Sequence, residues 1–174
     1  GGASGRATSG RILGLRQPLL HSLLMLDTFR PLLEAAQGLD LSQPSMARAE
    51  LARRFDPSSA RAQALRTSLL RLYEEGKIAQ KGALPVRWGR AAKASAETLD
   101  QSIDVVVMNG PGPLHRHPLG EVNYCIALEG SPRFDGEEPG WVVFPPESRH
   151  VPTVSGGTML IVYLLPKGQI EFIQ

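Results

Sequence analysis

Four side chains that are typical metal ligands lie close together in this 174-residue chain. His115 and His117 are two residues apart, Glu121 follows shortly after, and His150 comes from a later segment. Because alternate residues of a strand point to the same face, His115 and His117 can approach one ion together. Three imidazole nitrogens and one carboxylate oxygen suit a divalent first-row metal. The sequence therefore predicts a metal site, with Fe, Mn, Ni, Co, Cu or Zn as candidate ions.

Two further residues of reactive type are expected to be structural. His21 lies in an apolar helical pattern far from the other histidines. Cys125 is the only cysteine and lies inside an apolar, strand-like segment, which is typical of a small buried side chain. A single cysteine excludes an intrachain disulfide and favours a reducing compartment, so we expect the protein to be cytoplasmic.

The elements that must position the four ligands change in character near residue 81. Before it, apolar residues recur at helical spacing, and three helices are predicted over residues 18–36, 45–55 and 56–75. Pro31 is expected to split or kink the first, Ser45 to cap the second, and Asp56 followed by Pro57 to open the third.

After residue 81, short segments rich in β-branched and aromatic residues alternate with Gly and Pro turns. The predicted strands are 84–88, 103–108, 122–128, 141–144, 151–154, 158–164 and 170–173. This spacing predicts an α+β fold, with an N-terminal helical region followed by a small antiparallel β-barrel. We divide the chain into a flexible tail (1–16), a helical region (17–81) and a barrel (82–174).

Charge is unevenly distributed along the chain. Residues 1–100 carry 15 Lys and Arg against 9 Asp and Glu, whereas residues 101–174 carry 4 against 8, and the whole chain has a net charge of +2. A basic helical half is one feature of DNA-binding proteins. Here the arginines are spread around their helices and interrupted by glutamates, so solvated helix faces are the favoured interpretation. We expect no nucleic-acid partner and no membrane association.

The segments around the ligands resemble the two sequence motifs of the cupin family. The run from Gly112 to Glu121, "GPLHRHPLGE", resembles the first motif, and "GWVVFPPESRH", ending at His150, resembles the second. In cupins the two motifs face each other across a small barrel and bind one metal. The resemblance implies a cupin-like barrel with His115, His117, Glu121 and His150 as the metal ligands.

A closer resemblance extends over almost the whole barrel. The string "RFDGEEPGWVVFPPESRHVPTVSGGTMLI", together with "VRWGRAAK" before it, is similar to the 4-hydroxylaminobenzoate lyase family. Members of that family convert 4-hydroxylaminobenzoate to 3,4-dihydroxybenzoate (protocatechuate) and ammonia during the breakdown of nitroaromatic compounds. The resemblance implies this lyase activity, a small aromatic acid as substrate, and no organic cofactor.

The implied reaction requires groups beyond the metal. Glu121 is a candidate general base for the attacking water if it is only a weak metal ligand. A substrate carboxylate needs a cation, and Arg offers a matching fork of donors. Arg87 is the first choice, with Arg133 as a second candidate and Arg90 nearby. Asn123, on the same strand face as Glu121, and the aromatic Tyr124 are further candidates for substrate binding.

Other functions remain compatible with the same residues. A cupin dioxygenase that acts on an aromatic substrate would use identical ligands, with iron(II) and oxygen. A ligand-binding cupin sensor would join the barrel to a helical DNA-binding segment. As small cupins are commonly dimers, and as the Leu-rich first helix offers an apolar face, we expect a homodimer.

Overall fold

The structure is a computed structural model that describes residues 17–174, with side chains described from residue 24 onward. The predicted tail at 1–16 and the side chain of His21 lie outside these residues. Three helices are present in the described part: α1 (Gln17–Ala36), α2 (Pro44–Arg54) and α3 (Ala60–Glu74). All three predicted helices are therefore found, with shifts at their ends.

The helix ends correct three details of the prediction. Helix α1 continues through Pro31 without a break. Helix α2 begins at Pro44 and has no side-chain cap, so Ser45 does not cap it. Pro is well suited to the first turn of a helix, because an N–H at that position would have no helical partner. Helix α3 begins after Ser59, whose hydroxyl accepts a hydrogen bond from the Ala62 N–H at 3.2 Å. Asp56 instead accepts from the Ser58 N–H in the preceding turn.

Nine strands follow within the described residues, and their bounds are β1 (Lys81–Ala83), β2 (Val86–Ala92), β3 (Gln101–Met108), β4 (His115–His117), β5 (Glu121–Phe134), β6 (Gly140–Phe144), β7 (Ser148–His150), β8 (Val154–Pro166) and β9 (Glu171–Phe172). They form a six-stranded sheet in the order β1-β2-β3-β8-β5-β6 and a three-stranded sheet in the order β7-β4-β9. All strand pairs are antiparallel. The α+β fold with a cupin-like antiparallel barrel is therefore confirmed.

The predicted strand at 151–154 is present only at its C-terminal end. Strand β7 ends at His150, Thr153 forms an isolated bridge with Pro111, and β8 begins at Val154. Pro152 lies between them and has no N–H to donate to a ladder, which explains the break. The short strand β4, which carries two of the candidate ligands, was not predicted as a separate element.

The large sheet is buried on both faces. Val105 and Val107 of β3 belong to a core that includes helix residues, whereas Val106 and Met108 point to a second core inside the barrel. The helices and the outer face of the sheet thus share one apolar core. The division of the chain into separate regions at residue 81 remains a prediction.

Polar contacts join the helices to the barrel and to each other. The Trp141 indole N–H donates to the Phe55 carbonyl at the end of α2, 2.8 Å away. Arg48 of α2 pairs with Glu137 at 2.6 Å, and Arg54 donates to the Ala35 carbonyl at the end of α1 at 3.0 Å. Two of the helical arginines therefore have structural contacts that account for their positions.

Candidate metal centre

The four predicted ligands are brought together by the pairing of β4 and β7. His115 and His117 lie on one face of β4, and His150 is directly opposite His115 on β7. Glu121 is the first residue of β5, in the other sheet, so the site lies between the sheets. Gly120 precedes it with a φ of +88°, a conformation that glycine adopts without the steric cost of a Cβ.

The ligand atoms converge on one point. The Nε2 atom of His115 lies 2.7 Å from Nε2 of His117 and 3.0 Å from Nε2 of His150. The Glu121 Oε2 atom lies 2.9 Å from His117 Nε2 and 3.7 Å from His115 Nε2. Donors bound about 2.1 Å from one ion would lie roughly 3.0 Å apart at right angles and 3.4 Å apart at tetrahedral angles. The observed spacings are therefore close to those of a coordination shell.

Two of the imidazoles are held through their other ring nitrogen by acceptors. His115 Nδ1 lies 3.1 Å from the Pro113 carbonyl oxygen, which can only accept a hydrogen bond. His150 Nδ1 contacts the carboxylate of Asp135. Each Nδ1 must therefore carry a proton, so in a neutral ring the Nε2 atom is free to bind a metal at the centre.

The third imidazole reaches the same state through a serine. His117 Nδ1 lies 2.8 Å from the Ser148 hydroxyl, and that hydroxyl donates to the Pro145 carbonyl at 2.6 Å. Since the serine proton is already used, the Ser148 oxygen accepts from His117 Nδ1. When the rings are neutral, three Nε2 lone pairs therefore face one another at the centre.

This arrangement fits a bound cation. The two carboxylate oxygens of Glu121 are buried and have no hydrogen-bond partner among the described residues, although His117 Nε2 lies 2.9 Å from Oε2. Only a proton or a cation relieves the repulsion between converging lone pairs and a carboxylate, and a divalent metal relieves it for all four groups. These are also the donor types that first-row metals prefer.

Glu121 is ionised in these surroundings. Burial opposes the charged form, but a proton or cation held among the His115 and His117 imidazoles outweighs that penalty and lowers the pKa of Glu121 to about 2. Its carboxylate therefore needs no deprotonation before it binds a metal near neutral pH.

Asp135 and Ser148 contact two of the candidate ligands, and the sequence analysis did not identify either of them. Besides holding His150, the Asp135 carboxylate accepts a hydrogen bond from the Thr153 N–H at 2.8 Å, which fixes its own orientation. Both residues lie inside the stretch that carries the lyase-family resemblance. Their role depends on the approach of β5 and β7, which no local pattern specifies.

A cavity of about 510 Å³ opens beside the centre and has His115 in its wall. Most of its lining is apolar and is supplied by Val86, Trp88, Val106, Met108, Ile170 and Phe172. The polar side chains in the wall, apart from His115, are Arg90, Asp104 and Tyr163. A mainly apolar cavity of this size with a few polar groups is suited to a small aromatic ligand.

Asn123, one of the predicted substrate-binding residues, lies on the strand that carries Glu121 but is not among the residues that line the cavity. It is fully buried on the same face of β5 as Glu121, and neither its amide nitrogen nor its amide oxygen has a partner among the described residues. It is directly opposite Tyr163 on β8. The Tyr163 hydroxyl contacts only the Met108 sulfur, at 3.5 Å, which is a weak hydrogen bond.

The other three predicted substrate residues are likewise absent from the cavity lining. Arg87 is on the opposite face of β2 and lies over the ring of Tyr73, 5.6 Å from its centroid. Tyr124 faces the helices, where it packs against the rings of Phe55 and Trp141. The exposed Arg133 pairs with Glu138 at 3.3 Å. Strand alternation turns all three side chains away from the barrel interior.

Two curated proteins named 4-hydroxylaminobenzoate lyase are similar in sequence. The one from Nocardioides sp. (strain LMS-CY) is 32% identical over 94 residues, which is 49% of this chain and 56% of that protein. The one from Pseudomonas putida is 30% identical over 102 residues, which is 49% of this chain and 58% of that protein. The chain thus spans about half the length of the curated relatives that it matches.

Solved structures with a similar arrangement include cupins. An RmlC-like cupin protein from Ralstonia eutropha JMP134 has a TM-score of 0.38 and 14% identity, over 53% of this chain and 62% of that one. Salicylate 1,2-dioxygenase from Pseudoaminobacter salicylatoxidans has a TM-score of 0.36 and 12% identity, over 61% of this chain and 33% of that one. No helix within residues 17–174 has the length and apolar character needed to cross a membrane.

The family comparison covers both the helices and the site. The profile of a protein family described as "PnbB: 4-hydroxylaminobenzoate lyase" matches residues 31–172. This match includes all four converging ligands, the residues that hold them, and nearly all of the described chain. The protein therefore belongs to the 4-hydroxylaminobenzoate lyase family.

Proposed function

We propose that this protein is a metal-dependent lyase that converts 4-hydroxylaminobenzoate and water to 3,4-dihydroxybenzoate and ammonia. The observation that carries this proposal is the convergence of three imidazole nitrogens and the Glu121 carboxylate beside an apolar cavity. Membership of the lyase family supports the choice of reaction. The metal ligands are His115, His117, Glu121 and His150.

The reaction needs no external oxidant or reductant. The N–O bond, the C–N bond and one ring C–H bond break, and the nitrogen leaves as ammonia. Two ring C–O bonds form, and their two oxygens balance the oxygen lost from the hydroxylamino group and the oxygen of one water. The nitrogen gains the electrons that the ring carbon loses, so the overall change is redox-neutral. When bound, a divalent metal supplies Lewis acidity, which polarises a neighbouring oxygen and weakens its bonds.

The chain's own residues account for binding and proton handling. The apolar wall of the cavity accommodates the aromatic ring and excludes water from it. Asn123 offers an unpaired amide to a polar substituent of the substrate. The Tyr163 hydroxyl is neutral, because burial raises its pKa well above the usual value, so it acts as a hydrogen-bond donor to the departing oxygen.

The activity is tested by anaerobic incubation of the protein with 4-hydroxylaminobenzoate, both as purified and after removal of metal by a chelator. We expect ammonia and 3,4-dihydroxybenzoate in equal amounts from the metal-containing sample and little product from the stripped one. Absence of product from both samples would refute the lyase assignment. The same assay separates the lyase from a dioxygenase, since a dioxygenase requires oxygen and a lyase does not.

Replacement of Glu121 by Gln tests its place at the centre. The change keeps the shape of the side chain but removes the charge that the metal and the imidazoles stabilise. We expect both the metal affinity and the turnover to fall, as measured by metal analysis and by product formation. Full activity with unchanged metal content would exclude Glu121 both as a ligand and as a base.

We further propose that the protein acts as a homodimer in the cytoplasm. The buried, unpaired thiol of Cys125 is compatible with a reducing compartment. Exposed apolar residues near the cavity, among them Trp88 and Phe172, are candidates for a subunit contact. Light scattering coupled to size-exclusion chromatography measures the mass in solution, and a monomeric mass would contradict the dimer.

A further inference from the structure

A row of polar side chains crosses the inner face of the large sheet. The strand register places Arg90 of β2 opposite Asp104 of β3, Asp104 opposite Tyr163 of β8, and Tyr163 opposite Asn123 of β5. Residues that are directly opposite in neighbouring strands point to the same face. The four side chains therefore form one continuous polar row.

The residues next to this row are apolar. Val106, Ile161 and Cys125 are paired across the same strands two residues away and belong to the core inside the barrel. A polar row in an apolar wall costs free energy unless its groups are paired or bind a ligand. Asn123, at one end, has no partner in the described chain, and Arg90 and Asp104, at the other, line the cavity.

Arg90 is the one Lys or Arg side chain in the cavity wall, as far as the described residues show. Arg87, three residues earlier, is on the other face and lies over Tyr73. Any anion that enters the cavity therefore has Arg90 as its available permanent positive charge.

The contact with Asp104 orients Arg90 without using all of its donors. Arg90 donates from Nε to Oδ1 at 2.9 Å and from one Nη atom to Oδ2 at 3.1 Å. A guanidinium group has five N–H donors, so three remain, and two of them lie along the edge formed by the two Nη atoms. This edge matches the two oxygens of a second carboxylate.

We propose that Arg90, oriented by Asp104, binds the carboxylate of the aromatic substrate and thereby selects benzoates over uncharged aromatic compounds. The inference rests on the proposed function, because that function supplies the aromatic acid. Arg90 is a binding residue and Asp104 is its positioning residue.

The position of the row explains how such a substrate would be directed. Neighbouring strands lie about 4.8 Å apart, so Tyr163 is two spacings, or roughly 10 Å, from Arg90 along the sheet. Asn123, one strand further, is two residues from the ligand Glu121. A benzoate held at Arg90 therefore directs the substituent opposite its carboxylate toward Tyr163 and the metal ligands.

The test compares an acid with its uncharged amide. Calorimetry on the protein as purified measures the affinity for 4-aminobenzoate and for 4-aminobenzamide, which differ only in the charged group. The variants are Arg90→Gln and Arg90→Lys, and Arg87→Gln is the matched control on the opposite face of the same strand. Circular dichroism and the thermal midpoint show whether each variant is folded.

We expect the wild type to prefer the acid. In Arg90→Gln the affinity for the acid should fall about 10- to 100-fold, while that for the amide changes little, because only the acid loses a charged hydrogen bond. Arg90→Lys keeps a positive charge but not the two-pronged fork, so it should show a smaller loss of acid preference. It also serves as the test if Arg90→Gln does not fold. Arg87→Gln should behave as the wild type.

The proposal is overturned if the wild type does not prefer the acid, or if the preference survives in both Arg90 variants. It is also overturned if acid and amide weaken equally, or if Arg87→Gln removes the preference. Turnover of 4-hydroxylaminobenzoate is measured separately on the same preparations. If the protein turns over its substrate but Arg90→Gln keeps the acid preference, the role of Arg90 is refuted and the lyase assignment stands. If the acid preference depends on Arg90 but no turnover is found, the role of Arg90 stands and the lyase assignment is refuted.

Discussion

The two ring nitrogens of each histidine at the centre make different contacts. One is held by an acceptor in the surrounding chain, and the other faces the metal position. The acceptor fixes the tautomer and the orientation of the ring, so it contributes to metal affinity without touching the metal. Among these three acceptors, Asp135 is the one carboxylate, so its contact with His150 is the one that involves a charged acceptor.

We expect replacement of Asp135 by Asn to weaken metal binding about 10- to 100-fold, since the ring of His150 loses its charged partner. Asn tolerates the left-handed backbone at this position, where φ is +48°, so the fold should be retained. Competition with a chromogenic chelator measures the affinity. Glu138→Gln, in the same loop but paired only with the exposed Arg133, is the control. Equal affinities in Asp135→Asn and the wild type would show that this contact is not important for the metal.

Two tyrosines provide a matched test of which face is functional. Tyr163→Phe removes a hydroxyl with only a weak partner inside the barrel, so the free energy of unfolding should stay unchanged or increase. If this hydroxyl donates to the departing oxygen, kcat should fall about 100-fold or more, with metal content unchanged. Tyr124→Phe makes the same change on the helix-facing side and should keep full activity. Loss of activity in Tyr124→Phe alone would contradict this assignment.

At the scale of elements, the turn between β4 and β5 joins the two sheets and places Glu121 opposite the histidines. A Cβ added to Gly120 would lie 2.9 Å from the Phe144 carbonyl oxygen and 2.9 Å from a Leu41 methyl group. The turn therefore needs glycine for space as well as for its backbone conformation.

Two glycine substitutions separate these requirements. Gly136 has a φ of +83°, similar to that of Gly120, but nothing lies within 4 Å of its added Cβ. Gly136→Ala should cost about 1–2 kcal/mol of stability from the backbone conformation alone. Gly120→Ala should cost roughly 1–3 kcal/mol more, because the backbone oxygen of Phe144 cannot easily move away. Urea denaturation measures both, and equal losses would show that the turn adjusts freely.

At the scale of the whole molecule, the metal position connects elements that are distant in the chain. The ligands come from β4, β5 and β7, in two different sheets. A metal that binds only the folded state stabilises the entire domain by mass action, and the unfolded chain cannot reproduce the arrangement.

We expect the chelator-stripped protein to unfold at a lower temperature than the reloaded protein. At a free metal concentration of about 100 times Kd the stabilisation is about 2.7 kcal/mol, which corresponds to roughly 5–10 °C for a domain of this size. Differential scanning calorimetry measures the shift. His150→Ala, which removes one ligand, should show a much smaller response to added metal. A response equal to that of the wild type would indicate that metal binds elsewhere.

Much of the site follows from the sequence alone. The ligand types and their spacing identify His115, His117, Glu121 and His150, because strand alternation is a local property that places His115 and His117 on one face. The change from helical to strand periodicity near residue 81 likewise predicts the α+β order of elements. Local patterns are sufficient here because each depends only on residues that are close in sequence.

The tertiary structure decides which residues surround the ligands. Alternation shows that Arg87 and Arg90 point to opposite faces, as do Asn123 and Tyr124, but not which face is the interior of the barrel. Both faces of the large sheet are apolar, since helices cover the outer face and the cavity side is packed as well. The usual contrast between a polar and an apolar face is therefore missing. Only the packing of the helices assigns Arg90 to the cavity and Arg87 to the helix side.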